Sequence, residues 1–224
     1  MNLNTSYKSD ECRIPSDKRQ TIDSLSEKYA RTFDVITRPQ FRNWITRNFL
    51  IATAFSEFNV DPVSDSECLI EIGPGLGAII SLALESGCEA IYSLDTFEMH
   101  YIYGAVSREF PEKFDRVKQI TVNDIRTLRP FTVPNQNSTV LAFWSFTELT
   151  ESERKDYFGI FGSAKRIIIG CNKQFEGVDN FQYIENLAKT LDMDLRWKTL
   201  GEIFTTEIPS YQKSHRIYLL LARQ

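Results

Sequence analysis

The sequence predicts an α/β protein: a doubly wound, mostly parallel sheet of seven strands, the last one antiparallel, preceded by an N-terminal helical cap. Three observations predict it. From residue 67 onward, short apolar runs of strand length alternate with amphipathic runs of helix length. Two of the strand-like runs, IIIG (167–170) and YLLLA (218–222), are continuously apolar, as strands covered on both faces must be. Between the first strand and the first helix stands a glycine-rich turn, GPGLG (73–77).

In chain order, residues 1–20 are polar and read as a loose arm. Residues 21–59 carry a helical pattern through Phe33, Ile36, Phe41, Trp44, Ile45, Phe49, Leu50 and Ala54, which Pro39 divides into two helices. They come before any convincing strand, so residues 1–60 are expected to be an arm and cap, and 61–224 the sheet domain. Strands are expected at 68–72, 90–94, 117–122, 139–144, 166–171, 194–200 and 216–222. Helices are expected at 77–85, 98–110, 151–161 and 180–191. Residues 129–138 (RPFTVPNQNS) read as a surface loop. Fewer than twenty residues, with no helical pattern, separate the last two strands, which points to a hairpin and an antiparallel strand near the edge.

Composition sets bounds on function. The formal charge of −4 argues against a strong non-specific nucleic-acid binder, which needs a basic face. The cations of 113–129 are interleaved with acids such as Asp115 and Asp124. The N-terminus lacks the apolar core of a signal peptide, and no apolar run approaches a membrane span. Cys12, Cys68, Cys88 and Cys171 form no CxxC pair and read as reduced thiols of a cytoplasmic protein, with no metal site expected. Asp124 with Glu148 is the nearest approach to a carboxylate cluster.

What ligand needs glycines at 73, 75 and 77, with Glu71 two residues ahead? The turn also fits a loose dinucleotide pattern, GxGxxA. A dinucleotide would set its pyrophosphate against this turn, and Glu71 would add like charge nearby. Unit charges a few ångströms apart interact by about 1–4 kcal/mol at effective dielectrics of 80 to 20. S-adenosylmethionine has no phosphate and carries a cationic sulfonium and an ammonium, so the acid favours it. Asp95 ends the second strand, where an acid accepts hydrogen bonds from ribose hydroxyls; capping of the next helix is the plainer alternative. Asn123 and Asp124 follow the third strand, where a side chain can reach an adenine amino group.

These residues resemble the class I S-adenosylmethionine-dependent methyltransferases, over about 67–223, on EIGPGLG (71–77), Leu94-Asp95, Asn123-Asp124 and the closing strand pair. The resemblance implies a Rossmann-like fold and donor-binding roles for Glu71, Gly73, Pro74, Gly75, Gly77, Asp95, Asn123 and Asp124. Thr96 or Phe97 would pack on the adenine, and Trp144 and Ser145 complete the expected donor set. EIGPGLG is also how ribosomal RNA adenine dimethyltransferases spell the loop. Their Asn-Leu-Pro-Tyr type tetrad after the fourth strand is absent from LAFWSFTEL (141–149), which argues against RNA or DNA amine methylation. SFTELTESERKDYF (145–158) is instead similar to a loosely characterised group of sugar O-methyltransferases, which implies a small-molecule acceptor with a carbohydrate hydroxyl.

Methylation of a hydroxyl needs alignment and a base. His215 opens the final strand; if that strand is antiparallel, His215 lies at the donor edge, with a surface role as the alternative. His100 is the second candidate, early in a helix. Glu148 follows the fourth strand, as a base, a hydrogen-bond partner for the acceptor, or a helix-capping acid. Asn172, Lys173 and Tyr211 are expected on the acceptor side, and Trp44 or Trp144 as a stacking face. The N-terminal helices are either a lid or a homodimer face. An amine methyltransferase on the same fold and a catalytically silent donor-binding module are the competing readings.

Overall fold

The structure is a computed structural model that describes residues 60, 63, 65–75, 77–95, 106–108, 110–121, 124–125, 137–203 and 214–223. The expected arm and cap, and most of the helix expected at 98–110, lie outside the described residues.

The chain runs β1 (Cys68–Ile72), α1 (Ala78–Glu85), β2 (Ala90–Asp95), β3 (Val117–Thr121) and β4 (Ser138–Phe143). Then come α2 (Glu151–Arg154), a 3₁₀ turn at Lys155–Tyr157, α3 (Phe158–Ser163), β5 (Arg166–Cys171) and a two-strand ribbon, β6 (Gln174–Phe175) and β7 (Val178–Asp179). The chain closes with α4 (Asn180–Thr190), β8 (Met193–Thr199), α5 (Leu200–Ile203) and β9 (Arg216–Ala222).

Seven strands form one sheet in the order β3-β2-β1-β4-β5-β9-β8. β1 pairs in parallel with β2 and β4, β2 with β3, and β4 with β5. β9 is antiparallel to both β5 and β8. The antiparallel last strand is therefore as expected, and it lies one place in from the edge. Burial explains which member of the hairpin is inside. β9 buries Ile217 to Leu220, whereas β8 (MDLRWKT) buries only Met193 and fits a half-solvated edge.

The strand order reverses between β1 and β4, the place where open α/β sheets hold ligands at the carboxyl ends of their strands. β1 and β5 are buried along their whole length, and apart from Phe143 so is β4. One apolar face continues into Phe146, Tyr157, Phe161, Ile184 and Tyr218. Phe146 meets Phe161 edge-on, with ring centroids 4.8 Å apart. Cys68, Cys88 and Cys171 are free and buried as expected, and burial pushes the Cys68 and Cys171 thiols up to about 12. No helix among the described residues is long and apolar enough to cross a membrane.

Two sequence expectations need correction, and one element is new. The helix expected at 151–161 tightens into a 3₁₀ turn at Lys155–Tyr157 before continuing as α3. The β6–β7 ribbon was not anticipated, because each strand is only two residues long; its turn places Glu176 at φ 46° and Gly177 at φ 85°, both left-handed, as a tight hairpin requires. Leu200, expected to end a strand, starts α5 instead. There Thr199 and Glu202 close a capping box: the Glu202 carboxylate accepts from Thr199 N (2.6 Å), and Thr199 Oγ1 accepts from Glu202 N (3.2 Å).

Candidate functional site

The glycine turn follows from backbone geometry. Gly73, Gly75 and Gly77 have φ of 68°, 56° and 75°, a region that side-chain-bearing residues enter at a cost. Gly73 N donates to Leu94 O of β2 (2.8 Å), and Gly77 N to Pro74 O (2.9 Å). Gly77 then caps α1, its carbonyl accepting from Ser81 N (3.0 Å) and Ser81 Oγ (2.9 Å). At Gly73 the close approach comes from the protein itself: a Cβ there would lie 2.2 Å from Ser145 Cβ. The Ser145 hydroxyl donates to Ile72 O, locking the end of β4 to the end of β1.

Glu71 is 6% exposed, and its Oε2 is buried without a hydrogen-bond partner among the described residues. Burial and the neighbouring charge of Asp95 push the Glu71 carboxyl up to about 8, against a hydrogen bond with the Ile80 backbone that pulls it down. Ionisation of Glu71 is thus opposed first by burial and then by repulsion from Asp95. A ligand carrying positive charge relieves that repulsion, and a pyrophosphate worsens it.

Asp95 closes β2 and pairs with Thr121 in the sheet register, so the ends of β1, β2 and β3 lie level. Asp124 is partly committed to local structure. Its Oδ2 accepts from Thr121 N and Thr121 Oγ1, both at 2.8 Å, and these bonds hold its carboxyl below the usual range. Thr121–Asp124, Thr150–Glu153 and Thr199–Glu202 make the same capping box at three turns.

Trp144, just after β4, has φ 64°, a conformation that is an outlier for a bulky side chain. Such strain persists only where its surroundings over-determine it, and it clusters at functional sites. Trp144 N donates to Gly170 O of β5 (2.7 Å). Its ring lies 6.1 Å from the His215 ring, centroid to centroid. The antiparallel pairing sets Arg216 opposite Cys171, which brings His215 to the carboxyl edge as expected.

Glu148 ends a 3₁₀ turn at Phe146–Glu148. It makes no capping bond to Thr147 or Thr150, since the Thr150 cap is completed by Glu153. The residue is exposed, yet partial burial of its carboxyl pushes the pKa up. Asn172 and Lys173 follow β5. Asn172 Oδ1 accepts from Asn180 Nδ2 (3.1 Å), so this side chain is held rather than free to reach an acceptor. Lys173 is exposed. Thr96, Phe97, His100, Asn123 and Tyr211 lie outside the described residues.

Two buried polar residues, Arg154 and Asn180, escaped sequence reasoning. Arg154, 0% exposed, donates from Nε to Leu149 O (3.0 Å) and from Nη2 to Thr147 O (2.7 Å) and Asn180 Oδ1 (2.8 Å). Burial lowers its pKa, and the rings of Tyr183 and Phe146 lie 4.7 and 5.7 Å from its guanidinium carbon. A sequence signal was there: Arg154 heads the helical stripe 154, 157, 158 and 161, otherwise aromatic.

No protein family matches the sequence of this chain, and no curated protein does. Solved structures do match by shape. The methyltransferase domain of bacterial CtHen1-C aligns with TM-score 0.57 and 14% identity, over 76% of this chain and 97% of that one. Phosphoethanolamine N-methyltransferase 2 of Haemonchus contortus, in complex with S-adenosyl-L-methionine, aligns with TM-score 0.55 and 15% identity, over 93% and 59%. An O-methyltransferase family protein from Burkholderia thailandensis aligns with TM-score 0.52 and 11% identity, over 78% and 58%. At such identities the likeness establishes architecture: the chain shares the Rossmann-like α/β fold of these methyltransferase structures.

Proposed function

We propose that this chain is an S-adenosylmethionine-dependent methyltransferase that methylates a hydroxyl of a small molecule, most readily a sugar. The observation that carries the reading is Glu71: a buried carboxyl with an unpartnered oxygen, strained by Asp95, beside a left-handed glycine turn. When bound, S-adenosylmethionine supplies an electrophilic methyl group on a cationic sulfur. The cation draws Glu71 into its ionised form, and Asp95 accepts from the ribose hydroxyls. The 73–77 turn, Asp124, Trp144 and Ser145 complete the donor site. Glu148 or His215, both at the carboxyl edge, takes the proton from the acceptor hydroxyl as oxygen bonds to the methyl carbon. The electron pair of the broken C–S bond leaves with sulfur, giving S-adenosylhomocysteine. The hydroxyl acceptor draws support from the similarity of 145–158 to sugar O-methyltransferases and from the carboxyl of Glu148, which partial burial makes a stronger base than an ordinary glutamate.

Titration calorimetry with S-adenosylmethionine tests this. The expected result is micromolar binding, weakened about tenfold or more, some 1.4 kcal/mol, by Asp95→Ala. Binding of NAD in place of the methyl donor, or an affinity that Asp95→Ala leaves unchanged, overturns the donor assignment. Donor binding with no S-adenosylhomocysteine formed on any carbohydrate of a broad panel overturns the sugar acceptor.

A further inference from the structure

We infer that Arg154 is the positioning residue for the acceptor wall: it fixes Glu148 from below and, through Asn180, ties that segment to the loop that follows β5. The inference rests on the methyltransferase reading for its meaning, though the geometry stands apart from it. The two carbonyls that Arg154 grips, Thr147 O and Leu149 O, flank Glu148 on either side in sequence. Holding both fixes the backbone from which the Glu148 carboxyl projects. The third bond, to Asn180 Oδ1, continues into a relay. Asn180 Nδ2 donates to Asn172 O (3.2 Å) and Asn172 Oδ1 (3.1 Å), and Asn180 N donates to Lys173 O (2.8 Å). Arg154 and Asn180 are both 0% exposed. One guanidinium and one amide therefore set the relative placement of the segments after β4 and β5, the two neighbouring strands that border the acceptor side.

A purely structural role explains this poorly. Among the described residues no carboxylate pairs with Arg154, and its Nη1 has no hydrogen-bond acceptor. Its hold is directional: three hydrogen bonds to carbonyl and amide oxygens confine the guanidinium to one geometry. Arg154 does not act on Glu148 by charge either: burial alone accounts for the raised Glu148 carboxyl, with no opposing pull from a cation. The influence is through the backbone carbonyls.

The test uses the full chain, with Arg154→Met, Arg154→Lys and Asn180→Ala. Hydrogen-exchange mass spectrometry reads segments 145–150 and 171–174, and carbon-13 carboxyl labelling of glutamate reads Glu148, assigned as the resonance missing from Glu148→Gln. In Arg154→Met both segments are expected to exchange at least tenfold faster. The Glu148 titration should fall back to the ordinary glutamate range, because the loosened carboxyl becomes hydrated. Arg154→Lys, which keeps the charge and loses the fork of donors, is expected to lie between the two and guards against a Met variant that does not fold. Asn180→Ala should loosen 171–174 more than 145–150. Unchanged exchange at 145–150, or an unmoved Glu148 titration, in a folded Arg154 variant overturns the assignment. Calorimetry on the same proteins separates the two claims: S-adenosylmethionine affinity should stay within twofold of the parent chain. A parent chain that binds no donor sinks the methyltransferase reading while leaving the Arg154 result intact.

Discussion

Ser145 occupies the space that a side chain on Gly73 would need: its Cβ lies 2.2 Å and its Oγ 2.9 Å from where a Gly73 Cβ would stand. The first glycine of the turn is therefore required by the neighbouring strand as well as by its φ of 68°. Gly73→Ala should lower the unfolding free energy by about 2–5 kcal/mol, combining left-handed strain with overpacking. Adding Ser145→Gly should restore the overpacking share, about 1–3 kcal/mol, and leave the backbone share. Urea denaturation of the two single variants and the double variant measures this. A double variant no more stable than Gly73→Ala would show that Ser145 is not the obstacle.

Glu71 predicts a pH dependence. Its carboxyl is raised from the ordinary 4.5 to about 8 in the folded chain. The folded state holds the proton more tightly than the unfolded one, so the stabilisation is complete below pH 4.5 and is lost as pH rises through about 8. Stability should therefore fall across that window, and Glu71→Gln should flatten the fall. Donor affinity has the opposite sign. A cationic ligand favours the ionised carboxylate, so binding should strengthen with rising pH more steeply in the parent chain than in Glu71→Gln. Equal slopes in the two proteins, by calorimetry between pH 6 and 9, would remove Glu71 from the donor site.

The two candidate bases separate kinetically. Glu148→Gln and His215→Ala should each leave donor affinity within about twofold, while the residue that serves as base loses about 10²–10⁴-fold in turnover. If Glu148 is the base, the lower limb of the pH–rate profile lies above the ordinary glutamate range, because partial burial raises that carboxyl. Full activity in both variants would leave neither residue with the role.

The β6–β7 turn offers a test of backbone strain away from the site. Glu176 holds φ 46° ahead of Gly177 at 85°. Asn tolerates this conformation better, so Glu176→Asn should stabilise the chain by about 0.5–1 kcal/mol, read from the urea midpoint. A destabilised variant would mean that the Glu176 side chain contributes more than the turn costs.

Much of this molecule is legible without coordinates. Continuous apolar runs such as IIIG and YLLL can satisfy their surroundings only inside a covered sheet, and β1, β5 and β9 appear at the expected residues. The glycines at 73, 75 and 77 mark a tight turn in the sequence, and all three are left-handed there, a conformation other residues adopt at a penalty. The three T-x-x-[DE] capping boxes are equally local, since each joins residues three apart in the sequence. What the chain could not disclose was pairwise and distant. That Gly73 answers to Ser145, that Asp95 charges the surroundings of Glu71, and that Arg154 reaches Asn180 depend on strands and loops far apart in sequence. Local propensity acts over a few residues and leaves a pattern in the sequence. Burial of a charge or collision of two Cβ atoms arises only when the sheet order sets separate segments side by side, and sheet order is a property of the folded whole.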